Sequence, residues 1–337
     1  MSENAIIRRG KRRLAGNILL TVSFIASLGA TMTAAWGQAY PNRPIRLIYS
    51  FSAGSAVHSS MLLLTQEASK LLGQPLVVDV KPGAGGRIGF EEALRAAPDG
   101  YVITQASYAL LVLQGAVDPK LKVEPGKDYA PIIASADLPY IMVAHPSMPF
   151  RDVKGFIAQA KANPGKLNVA GGPVNSDAYF GLLRMKSMFG IDFLLVPFKG
   201  SVDGVPAQLN GLVDVSVING IVKPHVDAGK MIGIATTAGR RWDLFANLPT
   251  FVESGVDLTI GTVSGLVAPA GTPDMAVARL NQVFAKVMSD PEIRSKFSEL
   301  GLLARSSTPE EYARMIRAEI ETWGPIVQKA GIKPGLN

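Results

Sequence analysis

From Ile45 onward short apolar runs alternate with helically spaced segments, and this alternation restricts the fold more than any other feature. Ile45–Tyr49 reads as a buried strand, Ser60–Leu72 as a helix with Leu64, Ala68, Leu71 and Leu72 along one face, and Leu76–Val80 as a second strand. Gly86–Ala97 reads as helical, closed by Pro98-Asp99-Gly100, ahead of a third strand at Tyr101–Ala106. The pattern then recurs without repeating the sequence. Strands are expected at Tyr140–Ala144, Leu167–Ala170, Leu194–Pro197, Val213–Ile218 and Ile232–Thr236, with helices at Val153–Ala162, Ala178–Phe189, Val205–Asn210 and Val222–Ala228. Strands separated by single helices imply parallel sheets with right-handed crossovers. The last third turns strongly helical: Thr272-Pro273 and Thr308-Pro309-Glu310-Glu311 carry helix-start chemistry, with Thr at N-cap, Pro at N1 and, in the second, Glu311 at N3.

Residues 1–39 are set apart from this pattern. Arg8, Arg9, Lys11, Arg12 and Arg13 form a basic start, Asn17–Ala35 is apolar and small, and Gly37-Gln38-Ala39 supplies a small-x-small cleavage pattern. A cleaved signal peptide and a soluble periplasmic chain are therefore expected, exported by either the general or the twin-arginine route. The leader holds five basic residues against Glu3, so most of the net charge of +7 belongs to it and +3 remains for the mature chain. Nucleic-acid binding calls for a denser basic face. With no cysteine anywhere, disulfides, thiolate metal sites and thiol nucleophiles are excluded.

Open α/β sheets bind ligands beyond the carboxyl ends of their strands. The loops expected there, 50–59, 81–86, 106–109, 171–177 and 218–221, are all rich in Gly, Ser, Ala or Asn. The first is the uncharged stretch SFSAGSAVHSS, far longer than a turn needs, and it reads as one wall of a crevice. Gly83-Ala84-Gly85-Gly86 opens a helix and permits close backbone approach of an anion. It is not a dinucleotide fingerprint, since Ile88 stands where the third glycine would fall, and there is no P-loop lysine.

Eight segments occur in order: YPNRPIRLIYSFSAGS, VKPGAGGRIG, AAPDGY, KANPGKLNVAGG, VPFKGS, PHVDAGK, GLVAPAGTP and STPEEYARMIRAEIETWGPIVQKAGI. Together, across residues 40–332, they resemble the periplasmic solute receptors of tripartite tricarboxylate transporters, also called Bug receptors. The resemblance implies a two-lobed type II periplasmic binding fold, with parallel-rich sheets flanked by helices and the ligand in the cleft between lobes. It implies that residues 40–138 and 265–337 form lobe 1 and 139–264 lobe 2, the chain leaving lobe 1 near Asp137–Leu138 and returning near Ser264–Gly265. It further implies a monomer that takes a small carboxylate without cofactor or metal and delivers it to membrane permease subunits.

By the same resemblance the carboxylate is held by backbone donors and water from the first two loops: Phe51, Ser52, Ala53, Gly54 and Ser55, with Gly83, Ala84, Gly85 and Gly86. The family's first loop usually ends in threonine and aspartate; here Ala56-Val57-His58 stands there. Histidine in place of an acid disfavours an amino acid and favours a dicarboxylate or an aromatic carboxylate. Ser107 and Tyr108 are expected to add a hydroxyl and an aromatic wall, and Asn175, Ser176, Asp177 and Asn219 to line the far lobe. Asp177 helps an anion only by facing away or by accepting from a ligand hydroxyl.

An enzyme is the first rival reading. Neither an H-x-x-x-H pair nor a G-x-S-x-G elbow is present, and Ser55 with His58 lacks an orienting acid. His145 and His225 sit in a turn and at a helix end, where surface histidines are ordinary. The second rival is a carboxylate-sensing receptor that presents its loaded form to a signalling protein. Transport and sensing need the same flytrap, so the sequence does not separate them.

Overall fold

The computed structural model describes residues 40–172, 176–198 and 201–329. The chain divides into Met1–Asn42 and Arg43–Asn337. Of the first unit only residues 40–42 are described, and the expected leader lies outside the described residues.

In chain order, the elements begin with β1 Ile45–Tyr49, α1 Ala56–Leu72, β2 Leu76–Val80, α2 Arg87–Leu94, β3 Val102–Ser107, α3 Gln114–Val117 and β4 Tyr129–Pro139. Next come β5 Ile141–Ala144, α4 Val153–Ala162, β6 Asn168–Ala170, α5 Asp177–Phe189, β7 Leu194–Val196, α6 Ser201–Leu209, β8 Val215–Ile218, α7 Lys223–Asp227 and β9 Ile232–Thr236. The chain closes with β10 Gly261–Pro269, α8 Asp274–Ser289, α9 Pro291–Glu299, β11 Leu303–Ala304 and α10 Pro309–Lys329.

Two sheets organise these elements. The first has six strands in the order β11-β4-β10-β3-β1-β2 and the second five in the order β7-β6-β8-β5-β9. β1 is buried over most of its length between layers of helix, which is why Ile45–Tyr49 is apolar without alternation. Parallel pairing, expected throughout from the single-helix spacing, holds for β1 with β2 and β3, and for β6 with β7 and β8. The remaining pairs are antiparallel, so both sheets are mixed. The cause is the crossing: β4 runs out of the first sheet, β5 starts two residues later in the second, and β10 returns opposite β4, Gly261 against Pro139. The return expected at residue 265 thus falls inside β10.

The crossing is stitched by hydrogen bonds. The Tyr140 amide donates to Thr237 Oγ1 (2.9 Å), and the Tyr140 carbonyl accepts from both the Thr237 hydroxyl (3.0 Å) and its amide (2.9 Å). The Thr237 hydroxyl also lies against the Ile260 carbonyl. Each lobe has its own core: Phe156, Leu182, Val215 and Phe251 belong to that of the second, and Phe90, Tyr129, Tyr312 and Ile316 to that of the first.

Several boundaries differ from the sequence reading for local reasons. The first helix starts at Ala56, not Ser60, because Ser55 caps it: its Oγ accepts from the His58 amide at 3.1 Å. Half of SFSAGSAVHSS is therefore helix, not loop. The second helix starts at Arg87 because residues 83–86 all have positive φ, Ala84 (φ 47°) included, and it ends at Leu94. Thr308 and Glu311 form the expected capping box, exchanging bonds of 3.1 and 2.9 Å. Thr272 does not cap α8; its hydroxyl donates to the Pro269 carbonyl (2.8 Å), and Pro273 takes the cap position without a side-chain bond.

Candidate functional site: two walls at the strand ends

The first wall is built where β1 and β2 end. Ser52–Ser55 are exposed while Tyr49 is buried beneath them. Tyr49 Oη and Ser55 Oγ are hydrogen-bonded at 2.7 Å, and the Tyr49 ring stands 5.1 Å from that of His58. Burial raises the Tyr49 pKa, with the Ser55 bond opposing. The Gly54 amide donates to His58 Nδ1 at 3.4 Å. With Nδ1 accepting, a neutral imidazole carries its proton on Nε2 and offers a donor to the outside. His58 is half-buried in the first turn of α1, not part of a loop.

Phe51 joins this loop to the glycine turn. A Cβ on Gly86 would stand 2.9 Å from the Phe51 ring, and φ at Gly86 is +91°, so only glycine fits. Gly83 is half-buried, Ala84 and Gly85 are exposed and Gly86 is buried. The Gly86 amide is already spent on the Gly83 carbonyl (2.9 Å), which removes it from the expected donors. Gln114 Nε2 fastens the turn by donating to the Gly85 carbonyl (3.0 Å). Sequence reasoning missed Gln114, which extends from the end of a π-helical turn, Ala109–Leu113, inside an otherwise apolar run.

The third loop, expected at 106–109, does not form. β3 continues to Ser107, and the π-helical turn begins at Ala109. Ser107 and Tyr108 are consequently 8% and 6% exposed, and burial drives the Tyr108 pKa upward. Tyr108 instead lines a cavity of about 470 Å³ beside the crossing, with Arg240, Thr262, Arg305 and Trp323.

The second wall is a concavity of about 130 Å³, bounded by residues that include Tyr140, Gly172, Ser176, Phe198, Ser216 and Asn219. Ser176 caps α5, accepting from the Tyr179 amide (3.3 Å) and donating to the Gly171 carbonyl (2.9 Å). Asn219 Oδ1 accepts from the Ile221 amide at 3.4 Å. Asn219 also borders a cavity of about 330 Å³, lined by Ala56 at the start of α1, Pro139 at the crossing, Leu244 and Leu300. Asp177 is absent from the lining of all three cavities, and its carboxyl is pushed up to about 7, mainly by burial. Asn175 lies outside the described residues. Tyr140, Phe198 and Ser216 were not anticipated; Phe198, in VPFKGS just past a strand end, was the one legible candidate.

Among the described residues, no group of three or more His, Asp or Glu is placed to hold a metal ion, and no helix is long and apolar enough to cross a membrane. The chemistry these walls offer is exposed loop backbone on one side and, on the other, a small recess that mixes the polar groups of Ser176, Ser216 and Asn219 with the apolar Ala170, Phe198 and Val217, suited to reversible capture of a small solute.

Residues 62–332 match the family model described as "Tripartite tricarboxylate transporter family receptor". A Cupriavidus necator protein, "UPF0065 protein in gbd 5'region", is 31% identical over 309 residues, covering 91% of this chain and 94% of the relative. BugT of Bordetella pertussis is 28% identical, covering 92% of this chain and 96% of its own. Among solved structures, MatC from Rhodopseudomonas palustris with bound malate has 28% identity and a TM-score of 0.68, covering 86% of this chain and 100% of that one. The R. palustris protein Rpa4515 with adipate has 26% identity and a TM-score of 0.71, covering 87% and 99%. The chain belongs to the receptor family of the tripartite tricarboxylate transporters, with that family's two-lobed binding fold.

Proposed function

We propose that this protein is a periplasmic receptor, exported by a cleaved leader, that captures a small organic carboxylate and delivers it to the permease subunits of a tripartite transporter. The observation that carries the reading is the match of residues 62–332 to the receptor family of the tripartite tricarboxylate transporters; Ala56 at the start of α1 and Asn219 also border one cavity. The first wall contributes backbone: Ser52–Ala53 and the exposed Ala84–Gly85 turn present main-chain groups ahead of helix starts, a setting that favours anions. The second contributes Ser176 and Asn219. The relatives bound to malate and adipate support a dicarboxylate, and His58 with an Nε2 donor suits a second carboxylate. An aromatic carboxylate stacked beside His58 is the other member of the favoured class. The function is binding, not catalysis: the solute leaves unchanged.

A thermal-shift screen of mono-, di- and tricarboxylates and amino acids tests this. A ligand at a hundredfold excess over Kd stabilises the folded state by about 2.7 kcal/mol. Dicarboxylates or aromatic carboxylates should raise Tm; a shift confined to amino acids would sink the assignment of His58.

A further inference from the structure

The recess of the second wall has the room of one ring. Its volume of about 130 Å³ compares with the roughly 150 Å³ of an engineered apolar cavity that takes up benzene. The lining suits a ring as well as the size does. Tyr140 and Phe198 present half-buried aromatic side chains, and Ala170, Ala178, Val217 and Ile218 add buried aliphatic groups. The Phe198 amide donates to the Gly172 carbonyl at 3.1 Å, and a Cβ on Gly204 would stand 3.7 Å from the Phe198 ring. All the lining residues lie between Tyr140 and Asn219. The recess is therefore the product of one stretch of chain and does not depend on how the lobes stand to each other.

What the recess lacks is protons to share. A carboxylate needs converging donors, and the two serine hydroxyls in the lining have spent theirs. Ser176 donates to the Gly171 carbonyl at 2.9 Å, and Ser216 donates to Gln208 Oε1. Each oxygen has only lone pairs left to offer. The positive end of α5 is answered as well, since Asp177 stands in its first turn and its carboxyl accepts from its own amide. Among the described residues that line the recess, none is charged. The side-chain donors left there are the Asn219 amide, on an exposed residue, and the Tyr140 hydroxyl. With no cation beside them, these compensate poorly for the water a carboxylate would give up.

We propose that the recess takes an uncharged six-membered ring, so that the solute is an aromatic carboxylate whose charge stays against the first wall while its ring enters the second. The inference rests on the receptor reading above and deepens it, selecting the aromatic acid over the open-chain dicarboxylate. The division follows from what each wall supplies. Exposed loop backbone and the Nε2 donor of His58 suit the anionic edge of the solute. Tyr140 and Phe198 suit the ring, through the edge-on and offset contacts that aromatic pairs prefer. A second carboxylate is accepted next to the first on that same edge. Across the ring it is refused, because there it would meet the oxygens of Ser176 and Ser216 with their protons already given away. Selectivity thus depends on where charge sits on the ring more than on how much of it there is.

Titration calorimetry on the purified protein tests this with benzoate, benzene-1,2-dicarboxylate and benzene-1,4-dicarboxylate, and with malate and adipate as open-chain comparators. Benzoate and the 1,2-diacid should bind. The 1,4-diacid, identical in composition and charge to its isomer, should bind about tenfold more weakly or worse. Phe198→Leu keeps an apolar side chain but removes an aromatic face, and should weaken benzoate about two- to tenfold. Gly204→Ala adds a methyl group to the lining at ordinary contact distance from Phe198, on α6, where alanine is the better helix former. The unliganded variant should melt no lower than the parent, while benzoate binding falls about tenfold. A 1,4-diacid that binds as tightly as the 1,2-diacid overturns the ring assignment, as does benzoate binding untouched by both substitutions. Binding of malate or adipate with no aromatic acid bound also overturns it, and leaves the receptor reading standing. If no acid of the panel binds, the receptor reading and the ring assignment fall together.

Discussion

The two walls of the cleft are made differently. The first is backbone wound through left-handed conformations, with Gly54 at φ 91° and residues 83–86 all at positive φ, and much of it lies open to solvent. The second is a recess of side chains, Tyr140, Phe198, Ser216 and Asn219, set at strand ends and capped by Ser176. On the proposed reading, backbone meets what all carboxylates share, while the side chains of the second wall, with His58 of the first, meet what distinguishes them. Selectivity on that reading draws on both walls.

The largest way to break this division is to give the first wall a charge. His58→Asp places a carboxylate where the imidazole now stands; Asp and Asn can both accept from the Gly54 amide, so only charge separates them. Against a second anionic group at about 4 Å and an effective dielectric near 20, the repulsion reaches roughly 4 kcal/mol. Calorimetry on a dicarboxylate hit should show His58→Asp weakening binding far more than His58→Asn. Equal losses would assign His58 a role of shape alone.

Next in size is a pair of glycines with the same φ and different surroundings. Gly86 and Gly54 both sit at +91°, but a Cβ at Gly86 would strike Phe51 and Leu110, whereas Gly54 has nothing within 4 Å. Left-handed strain costs roughly 1–2 kcal/mol for an L-residue. Overpacking adds about 1–3 kcal/mol. Gly86→Ala should lose about 2–5 kcal/mol in urea unfolding, and Gly54→Ala about 1–2 kcal/mol. If both lose the same, Phe51 yields freely and does not lock the two loops together.

These pairs also show what the sequence could reveal. Periodicity located β1, β2, α4 and β9 to the residue, since each is an uninterrupted run of one period. It missed β4 and β10, whose contribution lies in antiparallel pairing across more than a hundred residues, from Tyr129–Pro139 to Gly261–Pro269, a relation no local window contains. At the site, the small-residue loops of the first wall were legible because left-handed backbone demands glycine. Tyr140 and Ser216 were not, because a strand residue enters a recess only through the tertiary arrangement around it. Tyr108 was misplaced for the converse reason: a π-helical turn follows β3 directly and carries the ring into the core.

The smallest expected effect compares the two caps. Ser55 and Ser176 each accept one backbone amide at the start of the helix that follows a binding loop, and losing such a cap costs about 1 kcal/mol. They differ in the second partner: Ser55 bonds the Tyr49 hydroxyl under the backbone wall, and Ser176 bonds the Gly171 carbonyl within the recess. Ser55→Ala therefore strands a phenol on a side chain that is 1% exposed, a further penalty of about 1 kcal/mol or more. That penalty should vanish in a Tyr49→Phe background, where the partner is gone as well. A double-mutant cycle by chemical unfolding should give a Ser55–Tyr49 coupling of about 0.5–1.5 kcal/mol. A coupling indistinguishable from zero would mean that water replaces the serine at once, and that the first wall is held by its backbone geometry with no support from the ring beneath it.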